Sequence, residues 1–226
     1  RLPPRAHTAR QQTAAVLFKR FANSGQGLFL SAIDKAAGVN DDTARVLVGG
    51  GHLVAMLGTS GDEESMDGSL GTNTQYSSRV ACVADFYGPT NFLTMNATAV
   101  ETARLDHDAH DSPESLLIGG PIQENPEKVA AANPITYVSA DDPAFLIVHG
   151  TMDPSVSFNQ SELLYDALED NGVVKTLITV EGGGHGRGFP PKTGQLLEAF
   201  FDHHLRGNET TWADQTIQTV SWERRR

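Results

Sequence analysis

The sequence contains little of what several protein classes require. It has one cysteine, Cys82, which excludes an internal disulfide. Lys and Arg number 17 against 28 Asp and Glu, and the net charge of −11 argues against nucleic acid as a partner, because phosphate contacts need a basic surface. No apolar run approaches the roughly 20 residues of a membrane span. We therefore expect a globular protein that contacts neither nucleic acid nor membrane.

What the chain does contain is typical of one loop-rich α/β domain. Its 226 residues fit one domain of about 200–250 residues better than two. Hydrophobic residues make up 39% of the chain, and 22 Gly and 11 Pro supply turns. Short β-branched runs alternate with amphipathic helical patterns. This alternation predicts a mostly parallel sheet with helices on both faces.

The same patterns place the individual elements. Strands are predicted at residues 44–48, 80–86, 144–149 and 173–180, the last being the final strand. Helices are predicted at residues 10–21, 28–37, 52–57, 157–169 and 194–205, with short ones near 96–105 and 112–118. Residues 62–78 should form a surface loop, residues 90–133 an excursion that covers a pocket as a lid, and residues 206–226 a loosely attached polar tail. Residues 1–33 contain five Lys or Arg and no acid, a composition typical of a transit peptide and equally of a surface helix.

Two of the predicted strands end in glycine-containing loops that carry ionisable residues. The strand at 144–149 is followed by Gly150 and then by Asp153, and the strand at 173–180 is followed by three glycines and His185. Carboxyl ends of parallel strands meet at one edge of a sheet, so Asp153 and His185 should lie close together. In a Ser-His-Asp hydrolase the Asp fixes the imidazole tautomer and the His transfers the proton. An Asp before a Pro, as at Asp153 and Pro154, is also typical of an ordinary turn. A His among glycines is also typical of a solvated loop.

Six short sequence segments, taken together, resemble those of one family. They are residues 51–61 (GHLVAMLGTSG), 85–90 (DFYGPT), 132–136 (ANPIT), 145–154 (FLIVHGTMDP), 161–165 (SELLY) and 183–186 (GGHG). In residue identity and in order along the chain, these segments resemble the α/β-hydrolase esterase/lipase group related to acetylxylan and feruloyl esterases. The resemblance implies an α/β-hydrolase-type sheet with a truncated or divergent N-terminal part, residues 1–43. It also implies Asp153 as the triad acid and His185 as the base.

The place of the nucleophile departs from that family. The family has a Gly-x-Ser-x-Gly elbow directly before the helix at residue 52, where the strained turn exposes the Ser hydroxyl and the next N–H lines the oxyanion hole. This sequence has Val48, Gly49, Gly50 and Gly51 there. Aligned without a gap, Val48 takes the Ser position and the three glycines form the oxyanion and elbow region. With a gap, about four residues that carry the Ser are absent, and a third interpretation is that residues before Gly50 are truncated or out of register.

No other serine fits the nucleophile position well. Ser60 lies in the loop after the elbow helix. Ser24 has the second glycine of a Gly-x-Ser-x-Gly elbow nearby but lacks the first. Ser155 is predicted to cap the next helix. Cys82 lies in an apolar strand and is predicted to be an inert, buried thiol.

Other histidines admit structural or metal-binding interpretations. Residues 106–111 (DHDAHD) have ligand types at close spacing, but a solvated charged turn is favoured over a metal site. His203 and His204 are predicted at the surface of the last helix, and His52 beneath the elbow turn.

Two functional hypotheses follow from this sequence. The first is a carboxylic ester hydrolase that acts on small esters, such as acyl groups on plant-wall sugars, and needs neither metal nor organic cofactor. The second is a catalytically impaired relative that binds a ligand, because Val48 cannot act as a nucleophile. A water-based mechanism with His185 as the base is a weaker third possibility. A fold without the usual first strands would expose an apolar sheet edge, which favours a homodimer.

Overall fold

The computed structural model describes residues 46–47, 50–67, 77–210 and 212–220. Its strands form one parallel sheet in the order β1-β2-β3-β4-β5. The strands are β1 Val46–Leu47, β2 Cys82–Phe86, β3 Ala144–Gly150, β4 Lys175–Glu181 and β5 Gln215–Gln218. The α-helices are α1 Gly51–Thr59, α2 Glu64–Asp67, α3 Pro113–Ile118, α4 Pro126–Ala131, α5 Asn159–Asp170 and α6 Pro191–Arg206. In the described ranges, 3₁₀ turns occupy Phe92–Thr94, Ile122–Glu124 and Pro134–Tyr137.

Helices cover the sheet on both faces, as predicted. On one face, Leu146 and Val148 of β3 pack with the buried side chains of α6. On the other face, Phe145 and Ile147 pack with the buried residues of α1 and α5. Because both faces are buried, β3 reads in sequence as a continuous apolar run. Cys82 lies fully buried in the first of these cores, as predicted.

The carboxyl ends of the central strands meet at one edge. Phe86 pairs with Val148, and Gly150 pairs with Val180, so the loops after β2, β3 and β4 leave the sheet side by side. Gly50, directly before α1, forms a bridge with Phe86 at this edge. Such an edge is where open α/β sheets hold their ligands.

The excursion at residues 90–133 has a small core of its own. Phe92, Met95, Ile122 and Val129 pack there together with Val156, which follows β3. Helix α3 agrees with the predicted short helix and is capped by the Ser112 hydroxyl. The helix predicted near residues 96–105 is absent, and turns replace it. The Asn96 side-chain oxygen accepts the N–H of His107 at 2.8 Å, a local bond that competes with helix formation.

The chain after α6 differs from the prediction. Residues 173–180 do not form the last strand, because β5 adds beside β4, and residues 212–220 are therefore not a loose tail. Ile217 of β5 is 7% exposed and joins the core under α6. The predictions for residues 10–21 and 28–37 lie outside the described residues, and residues 62–78 include the short helix α2. No helix in the described ranges is long and apolar enough to span a membrane.

Candidate active site

Backbone contacts between the loops after β3 and β4 bring the two predicted triad residues together. The N–H of Thr151 donates to the carbonyl of Val180 at 3.0 Å, and the N–H of Met152 donates to the carbonyl of Gly183 at 2.9 Å. A Cβ on Gly150 would lie 2.3 Å from the Gly183 oxygen, so only glycine allows this approach. The two loops therefore hold a fixed relative position.

Asp153 and His185 form the hydrogen bond that the sequence predicts. His185 Nδ1 lies 2.8 Å from Asp153 Oδ2, although the two residues are 32 positions apart. A carboxylate accepts only, so Nδ1 carries the proton and Nε2 of the neutral ring is left as the base. The Asp153 side chain is fully buried, whereas that of His185 is 36% exposed. This is the arrangement of a proton-transferring imidazole held by a shielded acid.

The Asp153 carboxylate is satisfied from several sides. Its Oδ1 accepts the N–H groups of Ser155 at 2.8 Å and Val156 at 3.0 Å. Burial raises the pKa of Asp153, but the hydrogen bonds from His149, His185 and the Val156 N–H outweigh it and hold the pKa well below its usual range. Asp153 is therefore ionised at neutral pH and stabilises a protonated His185.

His149 is a site neighbour to which the sequence analysis gave no role. It ends the apolar run of β3, is fully buried, and places Nε2 3.4 Å from Asp153 Oδ2. The signal in the sequence was a histidine four residues before the acid on a buried strand. That signal is ambiguous, because a buried histidine also occurs as an ordinary core residue.

Tyr87 is the second neighbour to which no role was given. It follows β2 in a left-handed conformation, with φ of 46°, and its N–H donates to the Val148 carbonyl at 3.0 Å. Its ring centroid lies 4.1 Å from that of His185. A Cβ on Gly186 would lie 3.2 Å from the Tyr87 hydroxyl, so the loop carrying His185 packs closely on this ring. Tyr87 thus covers one face of the imidazole.

The start of α1 packs tightly beneath the expected elbow. A Cβ on Gly51 would lie 2.1 Å from Asp85 Oδ1 and 2.4 Å from Gly88 Cα. Asp85 is fully buried, and its Oδ1 accepts the Gly88 N–H at 3.0 Å, while Oδ2 has no hydrogen-bond partner among the residues that the structure describes. Burial raises the pKa of Asp85 to about 6, against smaller lowering effects of His149 and the Gly88 N–H. Val48 and Gly49 lie outside the described residues, whereas Gly50 is exposed at the mouth of this edge.

Within the described residues, the structure does not place a nucleophile in hydrogen-bond contact with the base. No hydroxyl or thiol within them forms a hydrogen bond with His185 Nε2. Ser60 lies at the opposite end of α1, about 13 Å along the helix from the site edge. Ser155 donates its N–H to Asp153, and its predicted helix-capping role is wrong because α5 begins at Asn159 without a side-chain cap. Burial raises the pKa of Cys82 to about 12, and Ser24 lies outside the described residues.

The remaining histidine predictions have mixed outcomes. His52 is half-buried beside Phe92, and its Nδ1 donates to the Pro89 carbonyl at 2.9 Å, whereas the elbow turn beneath which it was predicted lies outside the described residues. His203 and His204 are partly exposed, and the His204 ring lies 4.5 Å from that of Phe200. His107 is buried and pairs with Glu114 at 3.1 Å. Within the described part of the chain, no group of three or more His, Cys, Asp or Glu could hold a metal ion.

The parallel sheet with the Asp153–His185 pair at its carboxyl edge is that of an α/β-hydrolase, and the similar proteins make it one of the esterase type. Residues 33–168 match the family model described as BD-FAE, and the chain belongs to that family. The match includes Val48 and Asp153 and ends before His185.

Individual relatives agree with this assignment. The chain is similar to the esterase LipQ of Mycobacterium tuberculosis, at 28% identity over 54% of this chain and 27% of that protein. It is also similar to the solved structure of a truncated carbohydrate esterase from gut microbiota, with a TM-score of 0.65 and 28% identity over 79% of this chain and 65% of that one. A bifunctional GH43-CE protein of Bacteroides eggerthii gives a TM-score of 0.62 and 32% identity over 69% of this chain and 20% of that one. The chain spans about a quarter of the curated relative and less than two thirds of either solved chain.

Proposed function

We propose that the protein hydrolyses carboxylic esters of small acyl groups, with His185 as the acid–base and Asp153 as its partner. The observation that carries this proposal is the 2.8 Å hydrogen bond between Asp153 and His185 at the carboxyl edge of the sheet. It occurs in a chain of the BD-FAE family that is similar to esterases.

The chemistry follows from the tautomer of His185. Nε2 removes the proton of the attacking hydroxyl, and the attacking oxygen forms a bond to the ester carbonyl carbon. The resulting imidazolium is stabilised by the buried Asp153 carboxylate and returns its proton to the leaving alcohol as the ester C–O bond breaks. Water then hydrolyses the acyl intermediate by the same proton transfers. This reaction uses side chains and water only, so the proposal includes no cofactor.

The substrate class rests on the similar proteins. One similar solved structure is described as a carbohydrate esterase, which favours acyl groups carried on sugars. Gly50 is exposed and the His185 side chain is partly exposed at the same edge of the sheet, so His185 is accessible to an ester from solvent. We propose acylated sugars as the substrates, with short acyl groups.

A second function is favoured by Val48. An elbow without a hydroxyl removes the nucleophile, and triad members act as a unit, so most of the acceleration would be lost with it. In that case the protein binds an acylated ligand at the same edge without hydrolysing it.

The first experiment measures release of p-nitrophenol from p-nitrophenyl acetate by the wild-type protein and by His185→Ala. Ester hydrolysis at this site predicts turnover in the wild type that falls at least about a thousandfold in the variant. A fluorophosphonate probe followed by peptide mass spectrometry then identifies the nucleophile. Equal, background-level rates in both proteins would contradict the esterase proposal and support the binding function.

The variant Val48→Ser separates the two functions further. If the elbow is intact and lacks only its hydroxyl, this change should create turnover that depends on His185. The double variant Val48→Ser, His185→Ala is the control, and it should return to background. An active wild type whose rate is unaltered by Val48→Ser would instead place the nucleophile elsewhere in the chain.

A further inference from the structure

The imidazole of His149 has a defined role for each ring nitrogen. Nε2 lies 3.0 Å from the Val156 carbonyl oxygen and 3.4 Å from Asp153 Oδ2, and both of these atoms accept only. Nε2 therefore carries a proton. Nδ1 lies 2.7 Å from Ser161 Oγ, whose hydroxyl can donate to it. A neutral His149 satisfies all three contacts at once.

These contacts fix the turn that carries the acid. The carbonyl of Val156 accepts from His149, and the N–H of the same residue donates to Asp153 Oδ1 at 3.0 Å. His149 thus acts on both oxygens of Asp153: on Oδ1 through Val156, and on Oδ2 by its own N–H at a longer distance. The oxygen that faces His149 is the one that accepts from His185.

We propose that His149 is a positioning residue whose Nε2–H holds the Asp153 turn so that Oδ2 stays directed at His185 Nδ1. The proposal rests on the proposed function in so far as the Asp153–His185 pair performs proton transfer. It assigns to His149 no contact with substrate, since the side chain is fully buried.

The buried position of His149 supports this role over simple packing. An apolar side chain would fill the same space, but it would leave the Val156 carbonyl without its donor, and buried carbonyls are rarely left unpaired. The hydrogen bond from His149 is also among the interactions that outweigh the burial of Asp153 and lower its pKa. Removing the ring should therefore alter the acid as well as the core.

A pair of amide variants isolates the Nε2–H. In His149→Gln the side-chain amide can occupy the Nε2 position, whereas in His149→Asn it reaches only the Nδ1 position. Ser161→Ala is the matched control, because it removes a buried hydrogen bond of the same imidazole without touching the Asp153 turn. The readout is the tautomer of His185 in long-range ¹H–¹⁵N correlation spectra recorded at alkaline pH, where an unperturbed imidazole is neutral. The His185 signals are assigned by their loss in His185→Ala.

The expected result is a His185 ring protonated on Nδ1 in the wild type, in His149→Gln and in Ser161→Ala. In His149→Asn the Nδ1-protonated form should lose at least half of its population. The proposal would be overturned by an Nδ1-protonated His185 in folded His149→Asn, by its loss in His149→Gln to the same extent as in His149→Asn, or by its absence in the wild type. If His149→Asn does not fold, the comparison of His149→Gln with Ser161→Ala decides the question. Loss of the Nδ1-protonated form of His185 in His149→Gln but not in Ser161→Ala overturns the proposal. Retention of that form in both variants supports it.

These spectra need no turnover, so they separate this proposal from the proposed function. An inactive wild type would contradict ester hydrolysis and leave the His149 test intact. If the wild type is active, His149→Asn should lower kcat about tenfold or more while KM changes by less than about threefold, because positioning of the acid acts on proton transfer. His149→Gln should recover most of that loss.

Discussion

The phenol ring of Tyr87 lies against the imidazole of His185, with ring centroids 4.1 Å apart and planes inclined by 49°. Tyr87 takes this position from a left-handed backbone conformation that non-glycine residues rarely adopt. Residues held in such conformations concentrate at functional sites. We infer that this contact limits the orientations available to the His185 ring.

The ring of Tyr87, rather than its hydroxyl, should matter for activity. Tyr87→Phe keeps the contact, and we expect kcat within about threefold of the wild type. Tyr87→Ala exposes one face of His185, and the loss of a contact worth about 1 kcal/mol should lower kcat several-fold. Steady-state kinetics on p-nitrophenyl acetate check this, and equal rates in the Phe and Ala variants would contradict it.

Two adjacent glycines should differ sharply in their tolerance to alanine. A Cβ on Gly51 would overlap Asp85 and the Gly88 backbone, so Gly51→Ala should lower the free energy of unfolding by about 3 kcal/mol. Among the described residues, nothing lies within 4 Å of a Cβ on Gly50, whose φ is −42°, so Gly50→Ala should change that free energy by less than about 0.5 kcal/mol. Urea unfolding of the two variants measures the difference, and similar midpoints would disprove the packing described for the start of α1.

Asp85 should make the protein less stable as the pH rises. Burial raises the pKa of Asp85 in the folded state to about 6 from its ordinary value of 3.8, so the folded state holds an extra proton between these two values. Its contribution to stability is fully present below about pH 4 and decreases as the pH passes through 6, by about 3 kcal/mol in all. Asp85→Asn removes this titration and should therefore be more stable than the wild type at pH 7.5, with a smaller difference at pH 4.5.

Urea unfolding of both proteins at the two pH values tests this. The comparison with Asp85→Asn cancels the other titrating groups, including His52, whose pKa burial lowers. A difference between the two proteins that does not change with pH would refute the titration of Asp85.

Strand β5 should contribute to global stability. Ile217 is buried under α6, and Ile217→Ala should lower the free energy of unfolding by about 2 kcal/mol or more. Thr216→Ala alters an exposed neighbour on the same strand and should be nearly neutral. Thermal unfolding of both variants is the measurement, and equal midpoints would mean that β5 is not part of the cooperative core.

Local sequence signals predicted the central strands and the Asp153–His185 pair because each signal lies within a few residues. An apolar run followed by glycine defines both a strand and its end, and parallel strands bring such ends together. Strand β5 was missed because its four residues are mostly polar and bury only Ile217. The role of His149 was not predictable, since its partners at Val156 and Ser161 depend on how the chain turns after β3. The left-handed backbone conformation of Tyr87 was likewise not predictable, because nothing in a tyrosine residue indicates it.

The packing of Val156 has a consequence for exchanging segments between relatives. This side chain belongs to the core of the 90–133 excursion, while its backbone holds Asp153. Beside it, the Ser157 and Thr98 hydroxyls lie 2.7 Å apart. A chimera that imports a foreign excursion without residues 156 and 157 would retain both Asp153 and His185 and still loosen the turn that carries the acid. Excursion and acid turn therefore form one module, and a change of substrate range by grafting the excursion requires that both be transplanted together.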